Sequence, residues 1–381
     1  MTGEKKEIEK TVTKTKAALG ASHLKIQQLF KLMVDNGASD LHLNVGAPPG
    51  MRVNGEIIKV KVPSLTSEDT KRMIYQILNA DQKEELEKNM EVDLSFGIKG
   101  LARFRCNVFH TKGNISAVFR QIPSIIPDFK TLKLPNVLME ITDVSNGLIL
   151  VTGPTGSGKS TTLASLIDRL NEKESGHIIT LEDPIEFVHS HKKCFITQRE
   201  IGSDSISFSR SLKALLRQDP DIVLVGELRD AETIEAALTI AETGHLVFGT
   251  LHTNSCVQTI NRIINVFPSD RHDQVRTLLS FVLQGIVAQQ LIPKTFESGR
   301  VLGMEILIPT TAIRNLIRED KTHQVYSQMQ VGQEKTGMMT MNQSLKKSVD
   351  SGLIDIETAL NYTTAQEELA KMLGLKEGKR K

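Results

Sequence analysis

The 381-residue chain has no tryptophan, only three tyrosines and only three cysteines. So few aromatic rings supply poor stacking platforms for single-stranded nucleic acid. Cys106, Cys194 and Cys256 form no CxxC pair, which excludes a disulfide framework and a structural zinc. An excess of one charge is missing too: 47 basic against 45 acidic residues leave +2, too balanced for a protein that wraps nucleic acid. No apolar run approaches the roughly 18 residues of a membrane helix, and no signal-peptide pattern opens the sequence. A reduced, soluble, cytoplasmic protein that inserts no segment of its own into a membrane is expected.

What is present is ordinary globular material, 39% hydrophobic and 24% charged, at about twice a typical domain length. Residues 1–20 mix Lys and Glu with almost no large apolar side chain and read as a flexible tail. From His23 the spacing of Leu24, Phe30 and Val34 predicts an amphipathic helix that stops at Asn36-Gly37. Leu41, Leu43 and Val45 alternate as a strand, Asn54-Gly55 marks a hairpin turn, 66–90 reads as helical, and 92–120 returns to strands. Residues 21–122 are therefore expected to form an α+β domain. Pro123, Pro127 and Pro135 punctuate 123–146 as a linker.

From 147 onwards short apolar runs (Leu148–Val151, Ile178–Leu181, Ile222–Val225, Leu246–Phe248) alternate with helical segments, the pattern of a parallel sheet covered on both faces. Residues 147–381 are expected to be one α/β domain. Val275, Leu278, Leu279, Val282, Ile286 and Val287 predict a further helix with a wide apolar face, and Val301–Ile308 a short strand before the final helices. The chain shows no internal repeat.

Gly153-Pro154-Thr155-Gly156-Ser157-Gly158-Lys159-Ser160, followed by Thr161, matches GxxxxGK[ST] between a predicted strand and a predicted helix. Glycines at those positions let backbone N–H groups curl round a phosphate at a helix N-terminus. Lys159 suits the β- and γ-phosphates, and the Ser160 hydroxyl suits magnesium. Each predicted strand also ends in polar residues: Glu182-Asp183, Gly226-Glu227, then Thr250 and His252. In an open parallel sheet, ligands bind outside those ends. Glu227 is placed to hold magnesium through water or to orient the attacking water, and Glu182 offers a second carboxylate for metal or base. His245 and His252 are an odd number of residues apart, so one strand cannot point both to one face. His252 suits γ-phosphate sensing; His245 suits a neighbouring subunit or a structural hydrogen bond.

Four segments in order, Gly153–Thr161, Thr180–Glu186, Leu216–Asp230 and Glu242–His252, resemble the Walker A loop, Asp box, Walker B segment and His box of the secretion-superfamily ATPases of type II secretion and type IV pili. The resemblance covers roughly residues 22–375. The missing zinc insertion, and Ala312–Glu319 (Ala-Ile-Arg-Asn-Leu-Ile-Arg-Glu), are similar to the pilus-retraction, PilT-type branch. The resemblance implies a PAS-like amino-terminal domain, a RecA-like P-loop ATPase domain with carboxyl-terminal helices, ATP and Mg2+ as cofactors, and a homohexamer. It implies a motor for pilus retraction and twitching motility, acting on an inner-membrane platform protein at the pilus base. A pilus assembly or type II secretion ATPase is the alternative.

Within that frame Arg103, Arg105 and Asn107 share one face of a predicted strand, and Arg120 ends the next. Arg105 and Arg120 are candidates to neutralise phosphate charge across an interface, with a solvated sheet face as the other reading. Arg314 and Arg318, at i and i+4, stand beside an apolar stripe of Ala312, Ile313, Leu316 and Ile317 and are candidates for coupling to a partner.

Overall fold

The computed structural model describes residues 24–53, 55–123, 125–331 and 336–375. The expected tail, residues 1–20, and Asn54 of the expected hairpin turn lie outside them. The chain divides after Ile125 into two compact units.

In the first unit the apolar spacing of the opening helix, Ile26–Asp35, buries Ile26, Leu29, Phe30 and Met33 on one side. Three short strands follow, β1 (Asp40–Leu43), β2 (Gly50–Val53) and β3 (Glu56–Lys59). The 66–90 stretch resolves into two helices, Ser67–Tyr75 and Ala80–Asn89, because Thr66 and Asn79 each cap a helix N-terminus by accepting a backbone N–H. Then come β4 (Glu91–Ile98), β5 (Ala102–Thr111) and β6 (Asn114–Ile122). The six strands form a sheet in the order β3-β2-β1-β6-β5-β4, with every neighbour antiparallel. Alternation along β5 sends Phe104, Cys106 and Val108 into the core. Phe30 from the helix stacks on Phe104 at 4.6 Å between centroids and meets Phe119 edge-on at 5.0 Å. This ring cluster ties helix to sheet.

The second unit is built on β7 (Gly147–Thr152), β8 (His177–Glu182), β9 (Phe195–Glu200), β10 (Ile222–Val225), β11 (Leu246–Leu251), β12 (Leu283–Pro293) and β13 (Arg300–Leu307). These seven strands lie in the order β13-β12-β7-β11-β10-β8-β9. All neighbours are parallel except β13, which runs antiparallel to β12 at the edge. Every residue of β7, β10 and β11 is buried, as continuous apolar runs require when both faces are covered.

Two expectations need correction. The helix expected to run through Ile286 and Val287 ends at Val282, and both residues belong to β12. A run buried on both faces gives no period to separate strand from helix, and Gly285, packed against Ile141, favours the strand. The second half of the expected linker is also no linker. Val137–Thr142 is helical, and Leu134, Val137, Leu138 and Ile141 are buried against Ile149, Val151 and Leu166 in the second unit's core. Strand β9 was not expected from the sequence; Phe195 and Thr197 on it are exposed, as befits an edge.

Phe30→Ala is expected to destabilise the first unit by about 3–5 kcal/mol, the usual cost of emptying an aromatic core site. Equilibrium unfolding of the full chain in urea should show a lowered midpoint; an unchanged midpoint would mean that the ring cluster is not holding the helix.

Candidate active site

Gly153 leaves β7 at φ 141°, and a Cβ there would lie 2.2 Å from the backbone oxygen of Gln289 on β12. Only glycine fits. Gly158 caps the helix Lys159–Lys173 at φ 91°, with no side chain bonding the first-turn N–H groups. Those donors face outward at the positive end of the helix dipole, which is how a helix takes an anion. Gln289 is buried, and its amide donates to the Ser157 carbonyl at 2.8 Å, pinning the loop from beneath. Ser157 Oγ is buried beside Gly153 without a hydrogen-bond partner among the described residues. Such an orphaned hydroxyl suits a loop whose partner is a ligand oxygen.

Lys159 folds its ammonium back over the loop and donates to the carbonyls of Gly153 (2.8 Å) and Pro154 (3.2 Å). Its burial lowers its pKa, and the nearby negative charge of Glu227 works the other way. Glu227 lies just past β10 and is held between an arginine and a histidine: Arg229 Nε lies 2.8 Å from Oε2 and His252 Nε2 lies 3.5 Å from Oε1. The expected meeting of Lys159, Glu227 and His252 at one sheet edge is therefore observed. Gly226 is what lets β10 end there: a Cβ on it would come 3.1 Å from the Leu181 carbonyl and 3.2 Å from the Glu182 backbone.

Glu182 ends β8 in different surroundings. Its Oε1 accepts from Thr180 Oγ1 at 2.7 Å and Gln198 Nε2 at 3.2 Å, while Oε2, among the described residues, meets only the Glu186 N–H at 3.5 Å. Burial raises its pKa above the usual carboxylate range, against these hydrogen bonds and with the help of the Glu186 charge. Glu182 is thus a half-buried carboxylate with a raised pKa among neutral donors, and Glu227 a carboxylate held between Arg229 and His252.

Among the described residues no group of three or more His, Cys, Asp or Glu could hold a metal ion. The hard oxygens at the loop are instead the Ser160 hydroxyl at the start of the helix and the Glu227 carboxylate, whose charge reaches Lys159, which suits a cation such as magnesium that keeps phosphates and water as its other ligands. A cleft of about 1030 Å3 opens beside the start of the same helix, at Gly158, Thr161 and Thr162, with Leu291, Leu302 and Met304 among its walls.

The remaining candidate residues separate. Arg103, Arg105 and Asn107 do share the face of β5 opposite Phe104 and Cys106; Arg103 donates to Ser95 Oγ at 2.8 Å. Arg120 is anchored within its own unit, its Nε 2.9 Å from Asp40 Oδ1 across the β1–β6 pair. Burial acts to raise the Asp40 pKa, but the hydrogen bonds from Ser39 and Arg120 and the charge of Arg120 prevail and hold it low. The side chain of Arg120 is still 70% exposed, so this pair contributes little to stability. His245 Nδ1 lies 3.0 Å from the Ile240 carbonyl and 3.2 Å from Thr243 Oγ1. That ring nitrogen serves the end of the preceding helix, Ala231–Glu242, rather than a neighbour.

Arg314 requires the largest revision. It does not stand beside Arg318 facing a partner: it is half-buried, donating to Ser280 O (2.6 Å), Phe281 O (3.0 Å) and Gln284 Oε1 (3.3 Å). It closes the C-terminus of the helix His272–Val282, where carbonyls lack helical partners. Arg318 is exposed, bonded to Asn315 and 6.0 Å from the ring centre of Phe281, itself 63% exposed.

A family model described as type II/IV secretion system protein matches residues 19–368. The chain belongs to that family. It is 50% identical over 334 residues to the type IV pilus retraction ATPase PilT of Pseudomonas aeruginosa, spanning 88% of this chain and 96% of the relative. It is 46% identical over 322 residues to a twitching motility protein of Neisseria gonorrhoeae, spanning 84% and 86%. A crystal structure of the pilus retraction motor PilT with bound ADP superposes at a TM-score of 0.86 with 52% identity, over 92% of this chain and all of that one. As a type II/IV secretion system family member with relatives this similar, the chain is an ATPase with an amino-terminal and an ATPase domain.

Sequence reading did not find Gln289, Gln198 or Arg229. The signal for the first was present: a glutamine inside the apolar run Leu283–Pro293 is a buried polar group in need of a partner.

Arg314→Ala is expected to destabilise the second unit, because two helix-end carbonyls lose their donor, at about 1–3 kcal/mol. Arg318→Ala should leave stability within about 0.5 kcal/mol of wild type. Thermal melts of the two single variants check this; equal Tm values would mean that Arg314 is not closing the helix.

Proposed function

We propose that this ATPase is a Mg-ATP-driven motor for type IV pilus retraction, working as a homohexamer at the cytoplasmic side of the pilus base against a membrane-embedded platform protein. The observation that carries the proposal is the convergence of Lys159, Glu227 and His252 at the phosphate loop of a chain half identical to a retraction ATPase. Among the described residues no helix is long and apolar enough to cross a membrane, so the chain would pull on the pilus through an embedded partner.

The P-loop residues Gly153, Thr155, Gly156, Ser157, Gly158, Lys159, Ser160 and Thr161 bind the phosphates by backbone N–H groups, hydroxyls and one ammonium. Lys159, freed from its own loop carbonyls, moves onto the β- and γ-phosphates. The nucleoside lies in the cleft beside Thr161 and Thr162. The Ser160 hydroxyl and the Glu227 carboxylate would hold magnesium, which when bound would supply neutralising positive charge at the phosphates.

Two carboxylates then divide two tasks. Glu182, half-buried and with its pKa raised, takes the proton of the attacking water. Glu227, clasped by Arg229 and His252, holds its negative charge toward Lys159 and the metal. His252 touches Glu227 and so links the end of β11 to the state of the phosphate site. Arg105 and Arg120 are the candidates to add positive charge from a neighbouring subunit, with Arg103 beside them, and Arg318 is the candidate for coupling to the load.

Lys159→Ala should abolish turnover. Glu182→Gln is expected to bind ATP normally and turn over about 10²–10⁴-fold more slowly, the span of a lost general base. Glu227→Gln should instead raise the magnesium concentration needed for half-maximal rate. Steady-state ATPase assays titrated with Mg2+ separate the two, and normal turnover in Glu182→Gln with a dead Glu227→Gln would exchange the roles. In cells, deletion should leave excess unretracted pili; bald cells would make this an assembly motor.

A further inference from the structure

Thr180 and Gln198 face each other across the β8–β9 ladder, two register steps before Glu182 and Glu200. Both aim at the same atom. Thr180 Oγ1 donates to Glu182 Oε1 at 2.7 Å, and Gln198 Nε2 donates to it at 3.2 Å. The Gln198 amide is itself fixed at both ends: Nε2 also donates to the Phe187 carbonyl at 2.8 Å, and Oε1 accepts the His189 N–H at 2.8 Å. Those contacts settle which end of the amide is nitrogen, since only an NH2 can donate to a carbonyl and a carboxylate together. They also tie the loop after β8 to the edge strand. Among the described residues Oε2 of Glu182 receives only the long contact from Glu186 N.

We propose that Gln198 is a positioning residue for ATP hydrolysis: with Thr180 it clamps Oε1 of Glu182 and leaves Oε2 as the oxygen that accepts the proton of the attacking water. The proposal rests on the reading of Glu182 as the base. Without the clamp the carboxylate can rotate about its terminal torsion, a broad and soft one, and present either oxygen in many directions. The clamp also tunes when the base is available. Hydrogen bonds to the ionised carboxylate favour that form, so losing the Nε2 donor raises the pH at which Glu182 deprotonates. The charged groups around it are few. Asp183 and Glu186 follow it in the loop, and Glu200 on β9 accepts from the Ile185 N–H at 3.3 Å. Glu227 beyond β10 is occupied by Arg229 and His252, and Arg199 on β9 donates to the Asp204 carbonyl. Among these, no cation contacts Glu182, so the neutral donors Thr180 and Gln198 are what oppose its burial.

The test is the pH dependence of kcat and KM for ATP, measured on full-length Gln198→Leu, Thr180→Val, Gln198→Glu and Glu182→Gln. Gln198→Leu should lower kcat at neutral pH roughly 10- to 100-fold, the worth of one hydrogen bond to a charged group, with KM unchanged. Its acid limb should move to higher pH. Thr180→Val should move the limb in the same direction, and Gln198→Glu, which sets a like charge against Glu182, should move it further. A folded Gln198→Leu or Thr180→Val with the wild-type pH profile and kcat would overturn the clamp, as would a rise in KM at unchanged kcat. Near-normal turnover in Glu182→Gln would overturn the reading beneath it, whatever the Gln198 variants do, so the two failures are told apart.

Discussion

The phosphate loop has its shape because the backbone of Gly153 is pressed against the backbone of Gln289. With a Cβ only 2.2 Å from that carbonyl oxygen, no other residue can leave β7 on this path, and the loop cannot relax away while β12 stays paired to β7. The same strand acts twice more, through the Gln289 amide on the Ser157 carbonyl and under Gly158, whose Cβ would meet Gln289 Nε2 at 3.2 Å. A loop read as a local motif is therefore moulded by a strand more than 130 residues further on. The direction of the first-turn N–H groups follows from it, as does the position of Lys159.

The parallel sheet does the rest by register. β7, β11, β10 and β8 run the same way, so their carboxyl ends bring the loop, His252, Glu227 and Glu182 to one edge. What differs between the two carboxylates is not position along the edge but surroundings. Glu227 faces Arg229, His252 and the field of Lys159, whereas Glu182 faces two neutral donors and its own burial. Environments that separate otherwise equivalent acids are how one edge can hold a metal and move a proton at once.

The sequence made the P-loop, the four strand ends and the alternating face of β5 legible because each rests on a short-range rule: fixed glycine spacing, continuous apolar runs, and period two. It did not reveal Gln289, Gln198 or Asp40, each of which matters through a partner outside its own strand. Asp40 meets Arg120, 80 residues away, only because β1 pairs with β6. The spacing at Ile286 and Val287 predicts helix since a fully buried strand has no face to alternate. Helical spacing predicts an open surface for Arg314. Spacing places Arg314 and Arg318 on one side of a helix but says nothing of a second helix ending beneath the first.

That second helix gives the Thr311–Arg318 segment its mechanical meaning. Arg314 grips the carbonyls of Ser280 and Phe281 and the side chain of Gln284, and the residues between them carry the chain from the helix His272–Val282 into β12. Gln289, six residues into β12, then shapes the phosphate loop. One arginine thus braces the junction from which the loop-moulding strand departs, and its neighbour Arg318 stays exposed over Phe281 at the outer surface. Contiguity of this kind is a connection; it becomes coupling only if the junction has two arrangements that nucleotide and load favour unequally. The division of labour between the two arginines sets where such a change has to occur. Arg314 holds the helix end from within, so a force applied at Arg318 and Phe281 would bear on that junction.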